Sequence, residues 1–302
     1  MNLPASTKAE PEDLSETCGR DAISLRRMTE NDLPAAMELK SLAGWNQTET
    51  DWRRCLTLYP AGCVVAVFKD RVVGTVVAAD YGPQFLWISM MLVHPEFRRR
   101  GIGRRLMEQA LANARSWPVI GLDATPFGKP LYAKLGFEEG YTIQRMVNPQ
   151  IPALENSLGE VRAAREPEWP ALYELDRVVF GADRAALLSC LVKELPDAAF
   201  ALHRDSRLTG ACVGRKGSNF TQIGPVIAES LADARSLVIA AMKRLAGQPA
   251  VIDVPDQQSA FGQWLDSVGF ASQRPLRRMF HGQPRITSDV SRQYAIAGPD
   301  LG

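Results

Sequence analysis

One stretch near the middle of the chain limits most strongly what the chain can fold into. Ile88 to Val93 is an unbroken apolar run behind Trp87, and it reads as a buried strand that Pro95 must end. Arg98-Arg99-Arg100-Gly101-Ile102-Gly103-Arg104-Arg105 follows at once. From Ile102 onward, apolar residues recur at Leu106, Met107, Ala110, Leu111 and Ala114, one face of a helix. Two glycines therefore stand where that helix begins. The first turn of a helix leaves N–H groups without partners and carries partial positive charge. Glycines there admit a bulky anion to the backbone, and the arginines add charge, so the spacing predicts a phosphate-binding turn.

The arginine cluster is a local feature. Lys and Arg number 35 against 34 Asp and Glu, so no global field draws the protein to nucleic acid or to a membrane surface. Five scattered cysteines (18, 55, 63, 190 and 212) fit reduced thiols in a cytoplasm, and three distant histidines give a metal site little to build on. Residues 1–20 are polar and read as a disordered tail without the apolar core of a signal peptide. With no apolar run long enough to span a bilayer, the expectation is a soluble, cytoplasmic protein.

At 302 residues there is room for two domains. Read in order, 21–147 gives strand, two helices, a hairpin at 63–68 and 72–79, the strand and phosphate turn, helix, strand 119–124, short helix and last strand. Residues 148–158 look like a linker. The plan then repeats over 159–282, with 283–302 left as a tail. Two echoes are specific. Val119-Ile-Gly-Leu-Asp-Ala-Thr-Pro126 returns as Val251-Ile-Asp-Val-Pro255, and Gly136-Phe137 with Arg145-Met146 returns as Gly269-Phe270 with Arg278-Met279. This pattern reads as an internal duplication. The second copy has Ser230-Leu-Ala-Asp233 where the first has Gly101-Ile-Gly103, and Leu265 at the position of Tyr132. A single anion site is expected, not two.

The run Leu92-Val93-x-Pro95-x-x-Arg98-x-Arg100-Gly101-Ile102-Gly103-Arg104 resembles the pyrophosphate loop of the GNAT superfamily of acyl-CoA-dependent N-acetyltransferases. Tyr132-Ala-Lys-Leu-Gly-Phe137 resembles the superfamily's Tyr-x-x-x-Gly-Phe element. The resemblance covers 22–147 and implies an α/β fold of two tandem GNAT-like domains, the second degenerate. Each would hold a mixed, mostly antiparallel sheet flanked by helices. It implies acetyl-CoA as co-substrate and no metal. Backbone groups of Met91, Leu92 and Val93 would pair with the pantetheine arm, and the turn at Arg98, Arg99, Arg100, Gly101, Ile102, Gly103 and Arg104 would hold the pyrophosphate. Tyr132 would protonate the departing thiolate. Gly128-Lys-Pro130 departs from the family, offering no Asn to orient the cofactor.

Other roles stay open at this level. Asp123 is a candidate general base, or equally a cap before Thr125-Pro126. Trp45, Asn46 and Gln47 suit an amine acceptor, the indole through cation–π contact and the amides through hydrogen bonds; a capped helix with a core tryptophan explains them as well. The second half would wall off the acceptor pocket or form a homodimer contact. The activity expected is direct transfer of acetyl from acetyl-CoA to a primary amine of a small molecule, with a non-catalytic acyl-CoA sensor as the alternative. No nucleic-acid or membrane partner is expected.

Overall fold

The computed structural model describes residues 23–113, 117–153, 161–283 and 288–302. The expected N-terminal tail and residues 154–158 of the expected linker lie outside these residues. The first half runs β1 (Ser24–Arg27), α1 (Leu33–Leu42), α2 (Glu49–Leu58), β2 (Cys63–Phe68), β3 (Arg71–Asp80), β4 (Phe85–Val93), α3 (Ile102–Asn113), β5 (Val119–Ala124), α4 (Lys129–Lys134) and β6 (Glu138–Asn148). The second runs β7 (Val161–Ala163), α5 (Trp169–Phe180), α6 (Ala185–Glu194), β8 (Phe200–Arg204), β9 (Arg207–Arg215), β10 (Thr221–Ile227), α7 (Leu231–Arg244), β11 (Ala250–Pro255), α8 (Ser259–Ser267) and β12 (Ala271–Gly282). Local chemistry sets the helix starts. Asp51 accepts from the Thr48 N–H at 2.7 Å while Thr48 Oγ1 accepts from the Asp51 N–H, a reciprocal cap that opens α2. Ser230 caps α7 in the same way through the Asp233 N–H.

Two separate sheets were expected. Instead the strands join in one 13-stranded sheet, in the order β1-β2-β3-β4-β5-β12-β6-β11-β10-β9-β8-β7. The last strand of each half has crossed into the other: β12 lies between β5 and β6, and β6 lies between β12 and β11. The exchange answers a hydrogen-bonding demand. An apolar strand such as Val119–Ala124 cannot leave its second edge bare inside a core. The strand following Gly136-Phe137 is carried past it, so the edge is closed by the strand that follows Gly269-Phe270.

The repeated Asp and Arg residues seal the crossing. Asp123 on β5 stands directly opposite Arg278 on β12, and Asp253 on β11 directly opposite Arg145 on β6. Each pair is bidentate at 2.8 Å and buried. Arg278 also receives the face of Trp87 at 4.7 Å and bonds Tyr141 Oη at 3.0 Å. Each of these two acids is thus neutralised by a strand of the other half.

A second joint lies at α2. Arg215 of β9 bonds Asp51 at 2.6 Å and Asp300 at 2.8 Å, and Arg54 bonds both Asp51 and Glu194. The residues after 283 are no tail where they are described. Gln293–Ala295 form β13, and Ile296, Ala297 and Leu301 are buried. Tyr81 Oη and Arg184 donate to Leu301 O, and Trp87 Nε1 donates to Pro299 O. Its apolar residues Tyr294, Ala295, Ile296 and Ala297 are consecutive and few in a row, so they show neither a helix nor a strand period.

Two outcomes follow for stability. Arg278→Met strands the Asp123 carboxylate, which should destabilise the protein by about 3–5 kcal/mol in urea titration, and a second change, Asp123→Leu, should recover much of that loss. The Asp51 carboxyl is buried, and Arg215 and Arg54 hold it down at about 2 against an ordinary 3.8. Its stabilisation is complete above the unfolded value and is lost as pH falls from about 4 through about 2. Removing it with Asp51→Asn should flatten the acid limb of the stability profile, a difference of about 2 kcal/mol.

Candidate active site

The site grows from a fork in the sheet. β4 and β5 pair in parallel only from Phe85 opposite Val119 to Trp87 opposite Gly121. Beyond Gly121 they part, and the β4 edge from Ile88 to Val93 has no strand against it. On its other edge β4 pairs with β3, but Met90 and Met91 together oppose Val76, so the strand bulges there. Met90 takes φ +51°, a conformation that costs a non-glycine residue about 1 kcal/mol or more. Thr75 Oγ1 fixes the bulge by donating to Met90 O at 2.7 Å. A trans peptide points its C=O and N–H in opposite directions. With Met90 O turned toward β3, the Met91 N–H is turned into the fork.

A cleft of about 750 Å³ opens there. Ile88 to Val93 and Leu122 to Asp123 form its sides, and the turn before α3 forms its outer end. In that turn Gly101 takes φ +78°, which only glycine adopts without strain. The first bond of α3 runs from the Arg105 N–H to Gly101 O, and among the described residues no protein acceptor meets the amides of 99 to 104. Arg98 is anchored by its Nε to Val93 O and lies over Phe127, while Arg99 and Arg100 are exposed. Arg104 pairs with Glu108 one helical turn on. Such a turn can hold a diphosphate. Of the turn residues named from sequence, only Arg100 falls outside the lining; it packs over Phe97.

Tyr132 lies in the wall on α4, its ring edge-on to Phe137 at 6.1 Å. Burial pushes its hydroxyl up to about 12, so it is a phenol, and a proton donor, throughout the physiological range. Among the described residues its hydroxyl has no protein hydrogen-bond partner.

Two expectations need correction. Asp123 lines the cleft only by its backbone. Its side chain is fully buried and both oxygens are bound by Arg278, so no lone pair is free to take a proton from an amine. The matching pair Arg145–Asp253 in the second half has the same geometry, which marks the acid as part of the strand exchange. Asn46 is also committed elsewhere. Its Oδ1 accepts from the N–H groups of Asn219 and Phe220, and its Nδ2 donates to Phe220 O, tying the α1–α2 loop to the second half. Trp45, Asn46 and Gln47 all line the cleft, and buried Gln47 Oε1 has no partner among the described residues. Sequence reasoning missed Ser89, Arg274, Leu276, Pro299 and Asp300, which complete the inner wall. Four of these come from the end of the chain, which no local motif connects to the first half.

The second half carries the same fork, already filled. β10 and β11 pair in parallel at Thr221–Ala250 and Gln222–Val251 and then part. Gly224 and Pro225 oppose Val213 as Met90 and Met91 oppose Val76, but Pro225 has no N–H to offer. β13 lies in this fork, antiparallel to β10, and the Ile296 N–H donates to Asp253 O on β11. A Cβ at Gly224 would fall 2.0 Å from Ile296 O, so the plug leaves no space.

Two family models of the GNAT acetyltransferase domain match the chain in tandem, at residues 60–139 and 172–295, more than half of it between them. The chain belongs to the GNAT acetyltransferases. This tandem GNAT protein is 26% identical over 216 residues to an uncharacterized N-acetyltransferase, YitH, of Bacillus subtilis, covering 71% of this chain and 76% of the relative. It is 26% identical over 262 residues to a holothin acyltransferase of a Pseudoalteromonas species, covering 85% and 87%. In fold it resembles a Pyrococcus horikoshii protein assigned as an acetyltransferase, with TM-score 0.79 at 23% identity over 96% of this chain and all of that one. A tandem GNAT protein from the clavulanic acid pathway superposes with TM-score 0.59 at 15% identity, over 86% and 98%. The protein is thus an enzyme of the acyltransferase class. Among the described residues no group of three or more His, Cys, Asp or Glu could hold a metal ion, and no helix is long and apolar enough to cross a membrane.

Tyr132→Phe tests the wall residue. It should leave the melting temperature within about 2 °C, since the hydroxyl bonds no described residue, yet lower kcat roughly 10²-fold. Unchanged kcat in steady-state assays would remove the phenol from the chemistry.

Proposed function

We propose that the cleft transfers an acetyl group from acetyl-CoA directly to a primary amine of a small molecule. One observation carries this reading: an unpaired strand edge, bulged so that the Met91 N–H faces into a fork whose mouth is a turn of open amides. A pantetheine arm carries amides of its own and could lie in the fork as β13 lies in the second one, bonding the β4 edge and the exposed backbone of Asp123. The diphosphate would then reach Gly101, Ile102 and Gly103.

The chemistry follows from what these groups can do. The amine nitrogen attacks the thioester carbonyl carbon, and the Met91 N–H stabilises the negative charge that forms on its oxygen. The C–S bond breaks as the Tyr132 hydroxyl gives its proton to the thiolate. The carboxylates of Asp300 on the inner wall and Asp123 behind it are both held by arginines. The amine therefore arrives unprotonated, the proton it loses on becoming the amide leaves through water, and water returns a proton to the Tyr132 phenolate. Direct attack is favoured because buried Cys55, Cys63 and Cys212 have thiols pushed up by desolvation, away from the nucleophilic thiolate. The described cysteines are free thiols, which suits a cytoplasmic location. The second half supplies the acceptor wall from the same chain, so no dimer partner is needed to complete the cleft.

Acetyl-CoA at 100 times its Kd should stabilise the protein by about 2.7 kcal/mol, read as a thermal shift that Gly101→Val abolishes. CoA release against an amine panel tests turnover; stabilisation without release on any amine would favour an acyl-CoA sensor. For a good acceptor, kcat/KM should rise with pH up to the amine's own pKa. It should show no descending limb below about pH 11, because the Tyr132 phenol stays protonated until about 12.

A further inference from the structure

On the inner wall of the cleft, away from the arginines of the Gly101 turn, Arg274 is a charge with no counter-charge among the described residues. It stands directly opposite Arg145 across β12 and β6, and like charges so placed repel. Arg145 is satisfied, with Nε and one terminal nitrogen bound to the two oxygens of Asp253. Arg274 forms no ion pair with a described residue, and its Nε is buried without an acceptor. Two guanidinium groups thus share one carboxylate. The acids beside it are balanced, Asp300 on the wall by Arg215 and Asp123 behind the wall by Arg278.

Two further polar atoms of the wall are buried and unpartnered, Gln47 Oε1 and Ser89 Oγ. Gln47 and Ser89 are each more than nine-tenths buried. Ser89 sits next to the bulge at Met90, where the acyl carbon would lie, and both oxygens can accept from an amine N–H. Arg274 is four residues along β12 from Arg278, about 13 Å at strand rise. The cleft therefore presents acceptors for an amine at one point and a bare cation at another.

We propose that Arg274 binds an anionic group of the acceptor, so that the substrate is an amine that also carries a carboxylate. Arg274 is then a specificity residue, delivered to the first half's cleft by the exchanged strand of the second half. The assignment rests on the acyl-transfer reading of the cleft. The coenzyme phosphates are a different matter, since they belong at the Gly101 turn.

The test pairs amines that differ only in the carboxylate: L-lysine against cadaverine, and 4-aminobutyrate against 4-aminobutanamide. Thermal shifts are read with CoA bound, and CoA release is read from acetyl-CoA. The carboxylate member of each pair should stabilise the protein more and give a kcat/KM at least roughly tenfold higher. Arg274→Gln should erase that preference through KM, with kcat and the acetyl-CoA shift unchanged, and Arg274→Lys should restore part of it. Equal responses to both members of each pair, or no shift from either carboxylate, with acetyl-CoA still stabilising the protein, would overturn the assignment of Arg274 alone. A lost acetyl-CoA shift in Arg274→Gln would assign the guanidinium to the coenzyme instead and overturn it as well. If acetyl-CoA does not stabilise the wild-type protein, the acyl-transfer reading fails and takes this assignment with it.

Discussion

The crossing of β6 and β12 is the constraint on which the rest of the molecule depends. Each strand closes an edge that its own half leaves open, and each brings a guanidinium to an acid that would otherwise be buried and bare. A stranded carboxylate in a core is worth several kcal/mol against folding, so the two halves are locked together by charge as well as by ladder bonds. The crossing also decides what lines the cleft. Leu276 and Arg274 reach it because β12 runs beside β5, and Pro299 and Asp300 reach it because the chain end follows.

The two halves show how one fold keeps or discards a site with few changes. Both fork after a short parallel pairing, and both bulge at the fork. The first offers an N–H at Met91, a glycine turn and a tyrosine. The second has Pro225, a serine-capped helix and Leu265 at those places, and its fork is occupied by Gln293–Ala295. The plug puts backbone groups where a ligand would need to bond, so the second fork is filled from within the chain.

Most elements were legible in the sequence because each carries its own local signal. The apolar runs at 63–68 and 119–124, the caps at Thr48 and Ser230, and the glycine turn before α3 all state their structure within a few residues. The duplication was legible through Gly-Phe and Arg-Met echoes. What those echoes meant was not. Asp123 and Arg278 lie 155 positions apart, and nothing near either one names the other. Hence Asp123 read as a free acid, Asn46 as a ligand for substrate and 283–302 as a tail. Each error has the same physical origin: a polar residue was judged without the long-range partner that consumes its hydrogen bonds. Tyr132 and the glycine turn lie in the cleft wall beside residues that are also their neighbours in sequence, so their placement was readable locally.

The exchange of strands also has a bearing on synthesis. When the first half leaves the ribosome, β5 and β6 have no strand between them, and the acid on β5 has no cation. That half must wait, edge exposed, until about as many residues again have been made, and waiting edges are where chains stick to one another. Yet the same geometry means that the seam need not be covalent. Two separately made fragments would each hold the strand that the other lacks, with the cation for the other's acid.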